Sequence, residues 1–262
     1  MDKIILIRGG GDLSTGVALR LQHAGFKLFI VELPEPMAVR RSVSFSEAIY
    51  RGEMLVEGLC AQRVDTAKEA FERIEAGIVP VMIDPELSVL DQHHFPILLD
   101  ARLLKRTSDT SIHAAPLVIG LGPGFTCGEN CHAVIETQRG HFLGRVYWTG
   151  SASPDTGQPE GDARRVLRAP RDGIFNAAVA IGDRVETGQV IGDVNGENVL
   201  APFEGVLRGL IRPGVFVQYG VKIGDIDQRN DPSYCYSVSD KALSIGGGVL
   251  EAILSWSSRQ LV

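Results

Sequence analysis

Apolar runs and amphipathic stretches alternate along the first part of the chain. An apolar run that begins near the N-terminus leads into a glycine-rich turn at residues 9–11, and a second apolar run ends at Glu32. Between them, apolar positions near Val17 and Leu21 recur at helical spacing. A strand, a turn, an amphipathic helix and a second strand make a βαβ unit.

Further apolar runs at residues 53–58, 77–84 and 95–102 are separated from one another by helical and loop-like stretches. Strands that alternate with helices favour a parallel sheet covered by helices. We therefore predict an α/β fold that begins with a Rossmann-like domain over residues 1–110.

A repeat dominates the second half of the chain. Residues 169–194 return without a gap 32 residues later, as residues 201–226. The identical positions are mostly glycine and proline, and the short apolar runs between them alternate as half-buried strands do. One copy cannot bury its own apolar face, so we predict that the two copies pack as a pseudo-twofold pair.

This repeat resembles the biotinyl/lipoyl (barrel-sandwich hybrid) domain, which has the same "AP..G" and "GD.V..GQ.I" phrases in each half. The resemblance implies a modifiable lysine on the hairpin of residues 193–200, but Val194 stands at that position. No biotin or lipoyl attachment is expected, and residues 166–228 are predicted to form a rigid structural or docking module. The pair Asn195-Gly196 predicts a type I′ turn in this hairpin.

Two other segments complete the predicted organisation. Residues 111–165 form a β-rich middle segment with a second glycine turn, and residues 229–262 form a helical segment that packs on the first domain. Ser239 is the predicted helix cap. Three consecutive glycines, 246–248, predict that the helix is interrupted or restarted there, since three glycines lower helix stability unless a backbone or ligand must come close.

The first glycine turn is the principal candidate binding site. Glycine there lets a backbone approach a phosphate, and the following helix offers unpaired N–H groups and the positive end of its dipole. The third glycine of the dinucleotide fingerprint is displaced to Gly16, so a turn that only permits tight packing is the alternative. The candidates around this turn are Arg8, Gly9, Gly10, Gly11, Asp12, Glu32 at the ribose position, and Asp100.

Three other groups of residues carry alternatives that the sequence leaves open. Asp84 is an acid, a metal ligand or, because Pro85 follows it, more simply a helix cap. Arg40 and Arg41 follow a proline-bounded loop and either contact an anionic cofactor or form a solvated charge pair. A carboxylate such as Asp12 repels a phosphate unless a cation lies between them.

The second glycine turn precedes a dense polar run. Its candidate residues form an anion nest made of Gly120, Gly122, Gly124 and Phe125. Cys127, Cys131 and His132 follow, and thiolate and imidazole are ligands for zinc, copper or iron. Their spacing is not that of the common zinc pairs and no second pair follows, so free thiols are favoured and no metal site is predicted.

Charge and cysteine content narrow the function classes. The net charge of −6 and the pI of about 5.6 provide no basic surface, so nucleic-acid binding is not expected. No apolar stretch reaches membrane-spanning length, so we expect a cytoplasmic protein that does not bind a membrane. Four cysteines in 262 residues do not make a disulfide framework, and we expect reduced thiols.

Several phrases taken together, including "RGGGDLSTGVALRL", "GLGPGFT", the paired "AP..G" repeats and "IGGGVLEAIL", resemble the selenium-dependent molybdenum hydroxylase accessory (YqeB-like) family. That family is related in its nucleotide-type domain to the maturation proteins of xanthine dehydrogenase. The resemblance implies a maturation factor rather than an enzyme, with a molybdenum hydroxylase or its maturation machinery as partner.

Under this interpretation, the glycine turns and the two arginines hold molybdenum cofactor or a nucleotide, an anionic small molecule in either case. A homo-oligomer is expected. An NAD(P)-dependent oxidoreductase is the alternative, although the sequence offers no convincing proton donor. A non-catalytic docking adaptor is the third hypothesis.

Overall fold

A computed structural model of the chain describes residues 4–157 and 161–259. The chain divides into two compact units. The first comprises Met1–Pro36, Ser44–Thr156 and Val238–Val262, and the second comprises Met37–Val43 and Gly157–Ser237. Among the described residues, no helix is both long enough and apolar enough to cross a membrane.

The first unit contains a large sheet. Its described strands are β1 (Ile4–Arg8), β2 (Lys27–Glu32), β3 (Glu53–Val56), β4 (Leu59–Val64), β5 (Val79–Ile83), β6 (Ile97–Asp100), β7 (Leu117–Leu121), β8 (Ala133–Ile135) and β9 (Val146–Tyr147). They lie in the order β3-β4-β5-β2-β1-β6-β7-β8-β9. The edge pairs β3·β4 and β8·β9 are antiparallel, and the others are parallel. The predicted parallel sheet is confirmed, and the β-rich middle segment continues it.

Helices accompany this sheet. They are α1 (Asp12–His23), α2 (Ala48–Arg51), α3 (Ala67–Glu75) and α4 (Asp240–Arg259). Helix α1 connects β1 to β2, which confirms the βαβ unit. In the core, the buried ring of Phe29 packs edge-on against Phe95, with ring centroids 5.7 Å apart.

Helix α4 runs without a break through its three glycines, so the predicted interruption is wrong. The glycines allow close packing within the first unit. A Cβ on Gly246 would lie 2.8 Å from Cγ of Arg20 on α1, and a Cβ on Gly248 would lie 2.1 Å from the carbonyl oxygen of Gly144. The predicted cap is confirmed, because Ser239 Oγ accepts a hydrogen bond from the N–H of Ala242 at 3.2 Å.

The second unit is built from short antiparallel strands. They are β10 (Val166–Arg168), β11 (Gly173–Ala177), β12 (Arg184–Val185), β13 (Val190–Val194), β14 (Glu197–Leu200), β15 (Gly205–Leu210), β16 (Phe216–Val217) and β17 (Lys222–Asp227). The described strands form two four-stranded sheets, β10-β17-β15-β12 and β14-β13-β11-β16.

The 32-residue repeat relates the two sheets to each other. The offset of 32 residues relates β11 in one copy to β15 in the other. It also relates Gly173 to Gly205 and Val185 to Val217, so the pair Gly173↔Val217 in one sheet corresponds to the pair Val185↔Gly205 in the other. Each sheet therefore takes strands from both copies, and buried side chains of both copies share one core. This confirms the predicted pseudo-twofold pair. Asn195 and Gly196 have φ of 47° and 82°, as the predicted type I′ turn requires.

Candidate functional site

The candidate site lies at the carboxyl ends of β1 and β6. From β1 the chain crosses to β2 on one side, and it later returns with β6 on the other side of β1. Ligands of open α/β sheets bind at such a switch point. Arg8 pairs in register with Asp100, and Asp100 pairs with Gly120. The structure thus brings these three predicted site residues into one row.

Two glycines of the first turn use their N–H groups within the protein. Gly9, with φ of 98°, donates to the carbonyl oxygen of Val31 at 2.8 Å. Gly10 donates to Oε2 of Glu32 at 2.7 Å, and a Cβ on Gly10 would lie 2.9 Å from the backbone nitrogen of Ser46. These two glycines therefore shape the turn, and their N–H groups already have acceptors.

Gly11 differs from its neighbours because it faces open space. It is the N-cap of α1, with φ of −65°, and a Cβ built on it meets no atom within 4 Å. Within the described residues, no hydrogen-bond acceptor is assigned to its N–H group. A helix N-terminus presents such N–H groups together with the positive end of the helix dipole.

Two buried hydroxyls lie beside this turn without a partner among the described residues. They are Oγ of Ser14, in the first turn of α1, and Oγ of Ser46, whose N–H donates to the carbonyl oxygen of Gly10 at 2.8 Å. Their side chains are 0% and 1% exposed. Buried polar groups without a partner are few in folded proteins, and bound water or a ligand commonly completes them.

An ionic network occupies the ends of β1 and β6. Asp100 is 0% exposed and accepts hydrogen bonds from Nη2 of Arg102 at 2.7 Å and from Oγ1 of Thr110 at 2.6 Å. Arg8 donates to Oδ1 of Asp109 at 2.9 Å. Arg102 also contacts Asp109, so the two guanidinium groups and the two carboxylates form one cluster.

Opposite charges balance within this cluster. The hydrogen bond from the Arg102 guanidinium is the main cause that lowers the pKa of Asp109 to about 2, so this carboxyl is ionised at neutral pH. With two cations and two anions, the cluster offers an incoming anion little net charge. Attraction for an anion at this edge therefore comes from the N-terminus of α1.

The other carboxylates of the turn have backbone partners. Both oxygens of Glu32 accept N–H groups, from Gly10 and Leu33, at 2.7 Å. Burial raises the pKa of Glu32, and these two hydrogen bonds oppose the rise. Asp84 accepts the N–H groups of Ser88 and Val89 in the short helical turn Ser88–Asp91, but the N-cap of that turn is Leu87, so the predicted cap position is wrong. Asp12 is the first residue of α1, where a carboxylate competes with a bound anion.

Arg40 and Arg41 belong to the second unit. Nη2 of Arg40 donates to the carbonyl oxygens of Tyr234 and Ser237, both at 2.9 Å, and Nε of Arg41 donates to that of Leu210 at 3.0 Å. These contacts tie the segment of residues 37–43 to its own unit by hydrogen bonds from charged groups to neutral carbonyls.

Packing accounts for the second glycine turn. A Cβ on Gly120 would lie 2.1 Å from the ring of the fully buried Phe125. Gly122 donates to the carbonyl oxygen of Ile135 at 3.1 Å, and a Cβ on Gly124 would lie 2.6 Å from that of Arg106. The space around these residues is thus filled by neighbouring groups of the first unit.

Sequence reasoning missed most of the loop after β6. Ser108, Asp109 and Thr110 complete the ionic network, although no glycine turn or strand end marks them. Ser108 Oγ and Thr110 Oγ1 both donate to Asp100. The run of small polar residues at 107–111, in the loop between β6 and β7, was the available signal.

Among the described residues, no group of three or more His, Cys, Asp or Glu side chains is placed to hold a metal ion. His132 instead accepts a hydrogen bond at Nδ1 from the N–H of Val118, at 2.9 Å. All four cysteines lie within the described residues and are free thiols.

No protein-family model matches the chain. A curated relative, the uncharacterized protein YqeB of Escherichia coli (strain K12), is 46% identical over 256 residues, which are 96% of this chain and 47% of that protein. The chain thus spans about half the length of the curated relative it matches.

Solved structures show weaker likeness. A succinylglutamate desuccinylase/aspartoacylase from Rhodobacter sphaeroides is 22% identical over 33% of this chain and 31% of its own, with a TM-score of 0.24. An aspartoacylase family protein from Mesorhizobium loti is 11% identical over 86% of this chain and 84% of its own, with a TM-score of 0.26. Likeness at this level carries no argument about activity.

Proposed function

We propose that this YqeB-like chain is an accessory or maturation factor for a selenium-dependent molybdenum hydroxylase, and that it holds an anionic nucleotide or pterin cofactor. The molybdenum and selenium parts of the proposal rest on the family resemblance of the sequence phrases. The binding part rests on one observation, the open N-terminus of α1 at the switch point of the sheet.

The residues at this turn fit the phosphate group that nucleotides and molybdenum cofactor share. The N–H of Gly11 has no assigned acceptor, a Cβ on Gly11 would meet no atom within 4 Å, and two buried hydroxyls beside the turn lack partners among the described residues. A phosphate at a helix N-terminus gains both N–H donors and the helix dipole. Arg102 packs against the same turn, because a Cβ on Gly9 would lie 3.2 Å from its Cγ.

The roles of the chain's own groups are to bind and to orient. The N-terminus of α1 holds the anionic end of the ligand, and the ionic network around Asp100 keeps Arg102 in a fixed position beside it. The cofactor supplies any redox or group-transfer chemistry. The cluster pairs two carboxylates with two guanidinium groups, so its role is to hold the loop and Arg102 in place beside the ligand.

An NAD(P)-dependent oxidoreductase is the second candidate. Glu32 favours it, since this carboxylate ends β2 at the position where such proteins contact a ribose hydroxyl. Its two oxygens already accept backbone N–H groups, but each carboxylate oxygen has a further lone pair. Glu32 can therefore accept a ribose hydroxyl without losing either bond.

For the second unit, we propose a barrel-sandwich hybrid that docks a protein partner. The interleaved sheets of the two repeat copies support this assignment. Val194, at the position that the resemblance gives to a carrier lysine, is fully buried, so a side chain there does not reach solvent. The unit is proposed as a docking module without an attached cofactor.

Native mass spectrometry of the purified chain tests the proposal, with NAD, NADP, ATP and a molybdopterin source added in turn. Retention of a pterin species without turnover supports the maturation factor. Retention of NAD or NADP together with consumption of the reduced form favours the oxidoreductase. Retention of none of these ligands contradicts both and leaves the docking module.

A further inference from the structure

Cys127 and Cys131 form a thiol pair that the proposed function does not use. The two residues lie in a tight loop before β8 and are partners in an isolated parallel β-bridge. Neighbouring strands lie about 4.8 Å apart, and disulfides join Cα atoms that are about 4.4–6.8 Å apart. The backbone separation of a bridged pair thus suits a disulfide.

Hydrogen bonds hold this loop in position. The N–H of Cys127 donates to the carbonyl oxygen of Gly150 at 2.8 Å, and the N–H of Gly128 donates to that of Cys131 at 2.9 Å. The N–H of Thr126 donates to Oδ1 of Asn130, also at 2.9 Å. Both cysteines are therefore fixed by their own backbone or that of a neighbour, and pairing them requires little chain entropy.

The two thiols differ in exposure. Cys131 is 0% exposed, whereas Cys127 is partly exposed and its thiol donates to the carbonyl oxygen of Tyr147 at 3.3 Å. A hydrogen bond between the two thiols lowers the pKa of Cys127 and raises that of Cys131. The accessible sulfur is thus the better nucleophile, and the buried one can act only after it.

We propose that Cys127 and Cys131 are a redox-active dithiol, which a small-molecule disulfide such as glutathione disulfide oxidises to an intramolecular disulfide. The Cys127 thiolate attacks one sulfur of glutathione disulfide, and the S–S bond breaks to release one glutathione thiolate. Cys131 then loses its proton and attacks Cys127 Sγ, which releases the second glutathione. Two protein thiols are oxidised and one glutathione disulfide is reduced to two thiols.

The sequence provides a clean readout for this reaction. A tryptic peptide of residues 107–139 contains both cysteines and no third one. The full chain is equilibrated in glutathione buffers of increasing oxidised fraction, alkylated and digested. In oxidising buffer we expect the peptide to lose two hydrogen atoms and to take up no alkyl group. A variant with both Cys60→Ser and Cys235→Ser is the control and keeps this transition.

Single variants separate the two roles. Cys131→Ser is expected to accumulate one glutathione on Cys127, whereas Cys127→Ser forms neither the adduct nor the disulfide. Because Cys131 is buried and its variant can fail to fold, phenylarsine oxide provides a second measurement. This arsenical bridges two close thiols, so the Cys60→Ser/Cys235→Ser chain should bind one equivalent and lose it when Cys127→Ser is added.

Three outcomes would overturn the proposal. They are two thiols that stay open to alkylation in every buffer, disulfide-linked dimers in place of the internal bond, and arsenical binding that survives Cys127→Ser. None of them bears on cofactor binding at α1, so the two proposals fail separately.

Discussion

Replacing Asp100 by asparagine tests whether the ionic network is the structural centre of the site. Asp100 is fully buried, and its two oxygens accept hydrogen bonds from Arg102, Ser108 and Thr110. The amide keeps the shape but removes the charge and turns N–H groups towards other donors. Breaking a buried ion pair from one side costs about 3–5 kcal/mol.

Asp109→Asn is the matched control because Asp109 contacts the same guanidinium of Arg102. The Asp109 side chain is 63% exposed, and exposed ion pairs contribute only about 0–1 kcal/mol. Asp100→Asn should therefore lower the free energy of unfolding by at least about 2 kcal/mol more than Asp109→Asn.

Urea denaturation followed by tryptophan fluorescence measures this difference. Trp148 and Trp256, the chain's two tryptophans, both belong to the first unit, so the signal reports the unit that contains the network. Equal losses for the two variants would refute the reasoning, because burial would then not decide the strength of the pair.

Three other predictions follow from neighbouring features. Gly246→Val should destabilise the first unit by about 1–3 kcal/mol through overpacking against α1. Gly247→Val should not destabilise it in this way, because a Cβ on Gly247 meets no atom within 4 Å. Thermal unfolding of the two variants measures the difference in stability. Because the pKa of Asp109 is depressed to about 2 from 3.8 in the folded chain, its contribution to folding stability is present above pH 4 and is lost as the pH falls towards 2. In acid titrations, the free energy of unfolding should therefore fall less steeply with pH in Asp109→Asn than in the unmodified chain. Gly11→Val should leave the free energy of unfolding close to that of the unmodified chain, because a Cβ there meets no atom within 4 Å. It should weaken binding of the ligand retained in native mass spectra by about 10- to 150-fold, which corresponds to the loss of one hydrogen bond to a charged group. Equal affinity of the two chains in titration calorimetry would show that the N-terminus of α1 is not part of the site.

Much of the fold was predictable because its signals are local. The apolar runs and the glycine turn predicted the βαβ unit, and the repeat predicted that neither copy folds alone. The break predicted in α4 was wrong for a physical reason. Glycine is unfavourable in an isolated helix, but close packing against α1 and Gly144 outweighs that cost here.

The site was predictable only in part. Arg8 and Asp100 could be placed together because the carboxyl ends of parallel strands share one edge. Asp109 and Thr110 could not, because the loop that carries them follows no periodic pattern. The metal, cofactor and partner predictions stay predictions, as do the domain boundaries and the site assignments.

The sequence by itself determined the periodic elements, the repeat and the edge of the sheet at which polar residues gather. Those properties depend on which side chains recur at which spacing, and spacing is local. Only the tertiary structure decided which glycine N–H groups have acceptors, that Arg40 and Arg41 hold carbonyl oxygens of the second unit, and that Phe125 fills the space at Gly120. Such outcomes depend on neighbours distant in the chain, which spacing does not specify.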